Sequence, residues 1–454
     1  MQNSQNNQHL SRSLKNRHIQ MIAIGGAIGT GLFLGSGQAI KTSGPAIILS
    51  YVIVGIFCFF MMRAIGELLL SDPTQHSFLD FVKYYLGERF EFVLGWLYWF
   101  CWISVAMADL TATGIYIKYW LPNFPQWATP LIILLCLYMI NHVNVRLFGE
   151  LESWFSLIKV LAIIALITIG IFLAVFRFKL NGSPASFQNL WSHGGFFATG
   201  GFGFLKSFQM IVFAFVGIEM VGITAGETED PAKNLPSAIN NLPIRIGLFY
   251  VGSMLAIMSV YPWNKISTTS SPFVQVFAAI GIPGAASLLN FVVLTAALSA
   301  TNSCLFSTSR TLNALSNSGN APQKLAQIDH NGVPFASLNF STAVLLTVVI
   351  LNFLMPANVF QLISSISTIS FVIVWIILIS CHLKFRQTVT GGSKLFKMHG
   401  YPWTDYMSLI FFGGFLLFLL LDKTTRIPLL FSLLAFSALY FSYDIIDVRK
   451  RVTD

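Results

Sequence analysis

Residues 22–37 read IAIGGAIGTGLFLGSG, a run apolar enough for a membrane helix but too rich in glycine for a continuous one. Six glycines fall within its last thirteen residues, and each costs a helix interior about 1 kcal/mol relative to alanine. A second run, FAFVGIEMVGITAGETEDP at residues 213–231, has Gly217 beside Glu219. Interrupted helices are tolerated at membrane depth only where they line a cavity or are buried in protein. Both runs therefore predict broken helices around an internal site.

The composition is that of a membrane protein. Of the 454 residues, 55% are hydrophobic and only 10% are charged, and the mean hydropathy is +0.70. A soluble domain carries about 25% charged residues. We predict an all-α membrane protein with about twelve transmembrane helices, because none of the long apolar runs alternates as barrel strands do. In chain order, segments 1 to 12 cover residues 19–40, 45–69, 92–118, 129–143, 153–176, 204–226, 242–262, 284–310, 336–355, 358–382, 405–422 and 427–445.

The two glycine-interrupted runs, segments 1 and 6, lie five helices apart. Because five is odd, two copies of a five-helix unit would be inserted in opposite directions. Paired interrupted segments in inverted halves are the best sequence pointer to a transporter binding site. We expect a tail at 1–18, repeats at 19–176 and 204–382, two extra helices at 405–445 and a second tail at 446–454.

Basic residues between the runs predict the orientation. If the N-terminus is inside, the loops on that side hold more Lys and Arg than the opposite loops, so both termini are predicted in the cytoplasm. No cleavable signal follows the polar, basic start, and segment 1 is expected to remain as a span. The net charge of +9 reflects these loops and does not indicate nucleic-acid binding.

Two facing helix breaks would present complementary groups to one small molecule. A break exposes N–H groups that attract a carboxylate and C=O groups that attract an ammonium, and an amino acid carries both charges on one carbon. Donors are expected at Ile28, Gly29, Thr30 and Gly31, and carbonyls at Phe213, Ala214 and Val216. Alternatively, the glycines only permit close helix packing, since Gly25 and Gly29 have the GxxxG spacing. A phosphate loop is excluded, because no strand precedes the run and no Lys follows it.

Three ionisable residues lie inside predicted spans, where such groups are costly and usually functional. Glu219 could carry a proton, orient the unwound stretch, or be a structural carboxyl bonded to a neighbouring helix. Lys159 could occupy a cation site against the carbonyls of segment 1, or snorkel to the interface. Asp109 could line the pathway or form an interhelical hydrogen bond.

Arg63 and Glu67 lie four residues apart at the inner end of segment 2, and this spacing predicts an ion pair on one helix face. Such a pair could belong to an inner gate or to a solvated helix end. Together with Asp109, the two residues are our candidates for a pathway or gate.

Other classes of function find little support. No Ser-His-Asp or Cys-His set appears, and we do not expect an enzyme. The five cysteines all fall inside apolar runs, and the eight histidines have no metal-ligand spacing. The sequence therefore predicts no disulfide framework, no metal and no cofactor.

Long ordered motifs extend from about Ser11 to Tyr443. They are LKNRHIQMIAIGGAIGTGLFLGSG, AIGEL, GWLYWFCW, FGELESWFSLIKV, FVGIEMVGITAGETEDPAKNLPSAI and NFVVLTAALSATNSCLFSTSR. On these motifs the chain resembles bacterial amino-acid permeases of the amino acid transporter family, in the amino acid–polyamine–organocation superfamily. YWFCW…MAD, FAFVGIE and SPFV look most similar to the D-serine/D-alanine/glycine transporter branch. MA, ITAGE and NFVVLTAALS are shared with the proline-specific branch.

The resemblance implies the LeuT-type fold, with inverted five-helix repeats and two further helices. It implies that the substrate carboxylate binds at residues 29–31 and the amino group at the carbonyls of residues 213–216. It also implies that Lys159 replaces the sodium of sodium-coupled relatives and bonds backbone oxygens of segment 1 when protonated. Several relatives have other residues at the positions of Phe213 and Phe215, so side-chain selectivity is not carried over.

We therefore expect a secondary active transporter that imports a small neutral amino acid with a proton, by alternating access across the cytoplasmic (inner) membrane. Alanine, glycine and serine, in either enantiomer, are the expected substrates. The alternatives are a permease for proline or another neutral amino acid, an exchanger, and a membrane sensor with little flux. Lys159 and Glu219 are the expected proton-coupling residues. The expected substrate-binding residues are Ala27, Ile28, Gly29, Thr30, Gly31, Cys101, Ser104, Phe213, Ala214, Phe215, Val216 and Glu219.

Overall fold

The computed structural model describes residues 28–72, 75, 77–143, 145–180, 183–219, 231–329, 332–389 and 396–453. Side chains are described at all of these positions except 142–143, 145–153, 183, 231, 234 and 445–453. Ala27, Gly25, Gly26 and the predicted N-terminal tail therefore lie outside the described residues.

The described residues fold almost entirely into helices, and the predicted all-α class is confirmed. The α-helices are α1 (Ser36–Ser43), α2 (Ile47–Ser71), α3 (Phe78–Leu86), α4 (Glu88–Ile117), α5 (Ala128–Val143), α6 (Val145–Val175), α7 (Gly200–Phe215), α8 (Pro231–Asn240), α9 (Leu242–Arg245), α10 (Gly252–Val260), α11 (Pro272–Ile280), α12 (Ala285–Asn317), α13 (Phe335–Leu345), α14 (Thr347–Leu354), α15 (Val359–Thr388), α16 (Trp403–Leu419) and α17 (Lys423–Thr453).

Shorter elements connect these helices. Single π-helical turns precede α1 and α10, at Gly31–Gly35 and Ile246–Val251. The 3₁₀ turns are Gly44–Ala46, Phe187–Leu190, Trp263–Lys265 and Gln323–Ala326. Two-residue strands, β1 (Lys179–Leu180) and β2 (Ser183–Pro184), form an antiparallel pair.

Many of the described helices are of membrane-spanning character. Among the described residues, eight helical stretches are long and apolar enough to cross a bilayer, and the first, Gly31–Ser71, runs through predicted segments 1 and 2. Three shorter apolar helices, Ala128–Asn141, Gly200–Phe215 and Trp403–Leu419, coincide with segments 4, 6 and 11. The count of twelve crossings and the inverted repeat stay predictions.

Three long helices form the centre of the bundle. The most apolar windows of α4, α12 and α15 are 78%, 72% and 83% buried, whereas that of α17 is 17% buried. α4 packs along both α12 and α15. The apolar side chains that α17 exposes, among them Ile427 and Leu434, face the surroundings of the protein, as expected for a helix in lipid.

α7 ends inside its apolar run, at the break that the sequence predicts. Val216 leaves the helical conformation, with φ −56° and ψ 136°. Gly217 follows with φ 102°, a backbone angle that L side chains rarely adopt and that glycine permits. The next described helix, α8, begins at Pro231. In segment 1, the described residues begin at Ile28 and the helical turn begins at Gly31.

Candidate functional site

A cavity of about 40 Å³ lies between the start of the first described helix and the end of α7. Because one water molecule needs about 10–15 Å³ of such space, the cavity suits a ligand of few non-hydrogen atoms. Its wall comes from the turn before α1 and from α4, α6, α7 and α12. The lining residues are Gly29, Thr30, Gly31, Trp102, Val105, Asp109, Lys159, Phe213, Ala214, Val216, Ala300, Ser303 and Cys304.

The wall from segment 1 is formed by the first turn of its helix. Leu32 N and Phe33 N both donate to the carbonyl of Gly29, each at 3.2 Å. The backbone N–H groups that come before them lie at the first described turn of this helix, where an anionic group is favoured, and the Thr30 N–H faces the Asp109 carboxylate. Thr30 uses its hydroxyl for another purpose, since Oγ1 donates to Asp109 Oδ1 at 2.5 Å.

The turn before α1 lies directly against the last turn of α7. A Cβ atom at Gly31 would lie 2.7 Å from Ala214 Cα and 3.0 Å from Ala214 N. Both distances are shorter than carbon and nitrogen atoms tolerate, so only glycine allows this approach. The contact brings the two chain segments that end at the cavity into van der Waals range.

The carbonyls predicted at the end of α7 are partly engaged. Phe213 O accepts from Val216 N at 3.2 Å. Ala214 O accepts from the Tyr250 hydroxyl at 3.1 Å, a partner that the sequence did not indicate. A carbonyl oxygen has two lone pairs, so each of these groups retains capacity for a ligand donor.

Lys159 is buried at the cavity, with an exposed fraction of 1%. Its Nζ donates to Ser299 Oγ on α12 at 3.1 Å. The snorkelling alternative is therefore wrong, because a snorkelling ammonium would reach the interface. The Lys159 ammonium also lies within electrostatic range of the Asp109 carboxyl. Asp109 lines the cavity and also accepts a hydrogen bond from Thr30, and its role in a transport pathway stays a prediction.

Glu219 is fully buried beside the break in segment 6, but it does not line the cavity. Its Oε2 accepts from Gly217 N at 3.3 Å. Its Oε1 has no hydrogen-bond partner among the described residues. The bond to Gly217 holds the turn that follows α7, which is the orienting role considered from the sequence.

Cys101 and Ser104, the substrate-binding residues predicted on α4, lie on a face of the helix that does not line the cavity. Trp102, Val105 and Asp109 line the cavity, whereas Cys101 and Ser104 do not. The Ser104 hydroxyl donates to the Cys101 carbonyl at 2.7 Å within the helix. Two further predicted residues, Ile28 and Phe215, are buried outside the cavity lining, and Phe215 stacks on Tyr250.

Sequence reasoning did not single out the wall that α12 provides. Ala300, Ser303 and Cys304 line the cavity from this helix. The only sequence signal was the small residues that recur in SATNSC at helical spacing, on a helix that the resemblance motifs cover.

A buried polar network holds the C-terminal end of α2. Glu67 Oε1 accepts from Arg386 Nη1 at 2.8 Å, and Oε2 accepts from Met398 N at 2.7 Å. His382 lies between two carboxylates, with Nε2 3.1 Å from Glu67 Oε2 and Nδ1 2.9 Å from Asp405 Oδ2. The network joins α2 to α15 and to the chain that enters α16.

Arg63 and Glu67 have separate partners instead of the ion pair that their spacing predicts. The Arg63 guanidinium donates to Asn240 Oδ1 at 2.8 Å and to the Lys397 carbonyl, and it lies 3.0 Å from His399 Nδ1. The two side chains therefore bind the same later part of the chain independently. The solvated-end alternative does not apply to Glu67, which is 0% exposed.

Glu67→Gln is expected to lower the thermal unfolding midpoint of the detergent-purified protein strongly. It leaves Arg386 and His382 without the buried charge that they face, and breaking a buried ion pair costs about 3–5 kcal/mol. The control is Asp444→Asn, which breaks the more exposed Arg89–Asp444 pair and costs about 1 kcal/mol or less. Equal shifts for the two variants would contradict the structural role of the network.

The chain is similar to known permeases and transporters over nearly its whole length. The family model described as "Amino acid permease" matches residues 18–451. The amino-acid permease AapA of Bacillus subtilis (strain 168) is 56% identical over 440 residues, covering 96% of this chain and 95% of that protein. The uncharacterized transporter YdgF of the same strain is 55% identical over 447 residues, covering 98% and 97%. The D-serine/D-alanine/glycine transporter of Escherichia coli (strain K12) is 45% identical over 448 residues, covering 98% and 95%.

Proposed function

Because the chain belongs to the amino acid permease family, we propose that it imports a small neutral amino acid together with a proton. Alanine, glycine and serine, in either enantiomer, are the proposed substrates. The observation that carries this proposal is the small cavity between the first turn of segment 1 and the end of α7. The printed name of the Escherichia coli relative, a D-serine/D-alanine/glycine transporter, supports substrates of this size.

In the proposed binding mode the substrate's two charges meet two helix ends. The carboxylate accepts from N–H groups at residues 29–31, at the positive end of the helix dipole. The ammonium donates to the carbonyls of residues 213–216. Support comes from the contact between Gly31 and Ala214, which brings both sets of groups to one cavity. Trp102 and Phe213 limit the room for a side chain.

We propose Lys159 as the proton-coupling residue. Its ammonium is buried at the cavity wall, bonds Ser299 and lies within electrostatic range of Asp109. Loss of a proton there removes the positive charge of Lys159. It weakens the hydrogen bond to Ser299 on α12 and removes the attraction to Asp109 on α4, and so loosens the contacts of α6 with both helices. Glu219, which is buried and has one oxygen without a partner among the described residues, is the second candidate proton carrier.

The wider architecture is part of the same proposal. It comprises twelve crossings in the cytoplasmic (inner) membrane with both termini in the cytoplasm, the LeuT-type inverted repeats at 19–176 and 204–382, and alternating access around a fixed site. Arg63 and Glu67 would belong to the inner gate, because they tie the end of α2 to α8, to α15 and to residues 397–399.

Purified protein in liposomes with an imposed inward proton gradient provides the test. We expect accumulation of labelled alanine, glycine and D- or L-serine that disappears when the gradient is collapsed. Labelled proline, lysine and phenylalanine serve as controls. Uptake of proline alone would assign the chain to another substrate class, and accumulation without gradient dependence would indicate an exchanger. Binding without counterflow would indicate a sensor and contradict transport.

A further inference from the structure

Ser303 has a free hydroxyl at the cavity. The residue is half-buried and lines the cavity, and its Oγ forms no hydrogen bond within the part of the chain that the structure describes. Serine and threonine in helices commonly donate to a carbonyl three or four residues earlier. Other hydroxyls of α12 do so: Thr295, Thr301 and Thr308 donate to carbonyls of their own helix at 2.7, 2.9 and 2.8 Å.

The position of Ser303 in the cavity follows from helical spacing. Ser303 and Cys304 lie three and four residues after Ala300, so all three share the face of α12 that lines the cavity. Across the cavity, α4 contributes the apolar side chains of Trp102 and Val105. Among the small and apolar residues of this wall the Ser303 hydroxyl has no hydrogen-bond partner among the described residues, whereas the Asp109 carboxyl of α4 accepts from Thr30.

This wall is where a substrate's side chain would lie. If the carboxylate binds at residues 29–31 and the ammonium at 213–216, the remaining substituent on the α-carbon faces α4 and α12. A hydroxyl donates one hydrogen bond and accepts two, so Ser303 can pair with another hydroxyl in either sense.

We propose that Ser303 recognises the side-chain hydroxyl of a small β-hydroxy amino acid and makes the site select serine over alanine. This inference rests on the proposed function, since it names the side-chain contact of the same substrate. Serine and alanine differ only in this hydroxyl. One neutral hydrogen bond favours serine by about 3- to 10-fold.

The test compares uptake of labelled serine and alanine, as kcat/KM, by the wild-type protein and by Ser303→Ala in the same liposomes. We expect the serine-to-alanine ratio to fall by about 3- to 10-fold in Ser303→Ala. The matched control is Ser307→Ala, one helical turn further along α12 and outside the cavity lining, which should keep the wild-type ratio. Both enantiomers of each substrate are measured.

Each outcome has a distinct meaning. An unchanged ratio in Ser303→Ala, with alanine still transported, would overturn the inference and leave the proposed function intact. Transport of none of the small neutral amino acids by the wild-type protein would overturn both. If Ser303→Ala is inactive, thermal protection of the purified proteins by serine and by alanine replaces uptake. Equal protection of the wild-type protein by the two ligands would then overturn the inference.

Discussion

Replacing Gly31 by alanine is expected to abolish most transport and to destabilise the protein. The new Cβ would lie 2.7 Å from Ala214 Cα, and a backbone atom cannot rotate away as a side chain can. The turn before α1 and the end of α7 must therefore separate. Such overpacking costs about 1–3 kcal/mol, which corresponds to roughly 5- to 150-fold in an equilibrium. Uptake of labelled alanine and the thermal unfolding midpoint measure the two effects.

Two other glycines serve as controls for Gly31→Ala. A Cβ at Gly29 meets no atom within 4 Å, and yet Gly29 lines the cavity. Gly29→Ala should therefore keep the wild-type unfolding midpoint and lower uptake, because its methyl group enters the cavity. Gly413→Ala, in open space on α16, should change neither. Wild-type uptake by Gly31→Ala would contradict the close contact between the two segments.

The glycines carried most of what the sequence could predict about the site. Glycine is required at two of these positions for different reasons. Gly217 adopts a positive φ, and Gly31 allows a close backbone contact with Ala214. Close helix packing and a broken helix are alternative interpretations of the glycines in the sequence. The contact of Gly31 with Ala214 is close packing located at the helix ends, so both descriptions apply to the same atoms.

The rotational setting of the central helices could not be predicted. An amphipathic helix reveals its inner face through its polar residues, but α4 is mostly buried and has apolar residues on every face. The sequence therefore could not distinguish the Cys101 and Ser104 face from the Trp102 and Val105 face. Packing against α12 and α15, which are distant in sequence, sets the orientation. The same reasoning explains why Ser303 was missed.

The ion pair that local spacing predicts at the end of α2 does not form. Arg63 and Glu67 are four residues apart, which favours an ion pair on an isolated helix by a few tenths of a kcal/mol. The structure offers both side chains stronger, buried partners from α15 and from residues 397–399. A sequence pattern contains no information about contacts over such separations, so the weaker local pair was predicted.

Lys159→Met is expected to remove gradient-driven accumulation of substrate. Methionine keeps the length and the apolar stem of the side chain but cannot bind a proton. The variant loses the hydrogen bond to Ser299 and the positive charge near Asp109. Without a coupled proton, accumulation by the variant should fall to the level that the wild-type protein shows when the gradient is collapsed. Uptake of labelled alanine under an inward proton gradient measures this loss of accumulation.

Counterflow without a gradient separates coupling from binding in the same liposomes. If Lys159 couples the proton, Lys159→Met should still exchange labelled for unlabelled substrate, because the groups at residues 29–31 and 213–216 remain. Lys206→Met is the matched control, since it removes a lysine that pairs with Asp422 at 3.0 Å, outside the cavity lining, and should keep gradient-driven accumulation. Wild-type accumulation by Lys159→Met would exclude Lys159 as the proton carrier. Glu219, the other buried titratable group beside the break, would then be tested in the same way with Glu219→Gln.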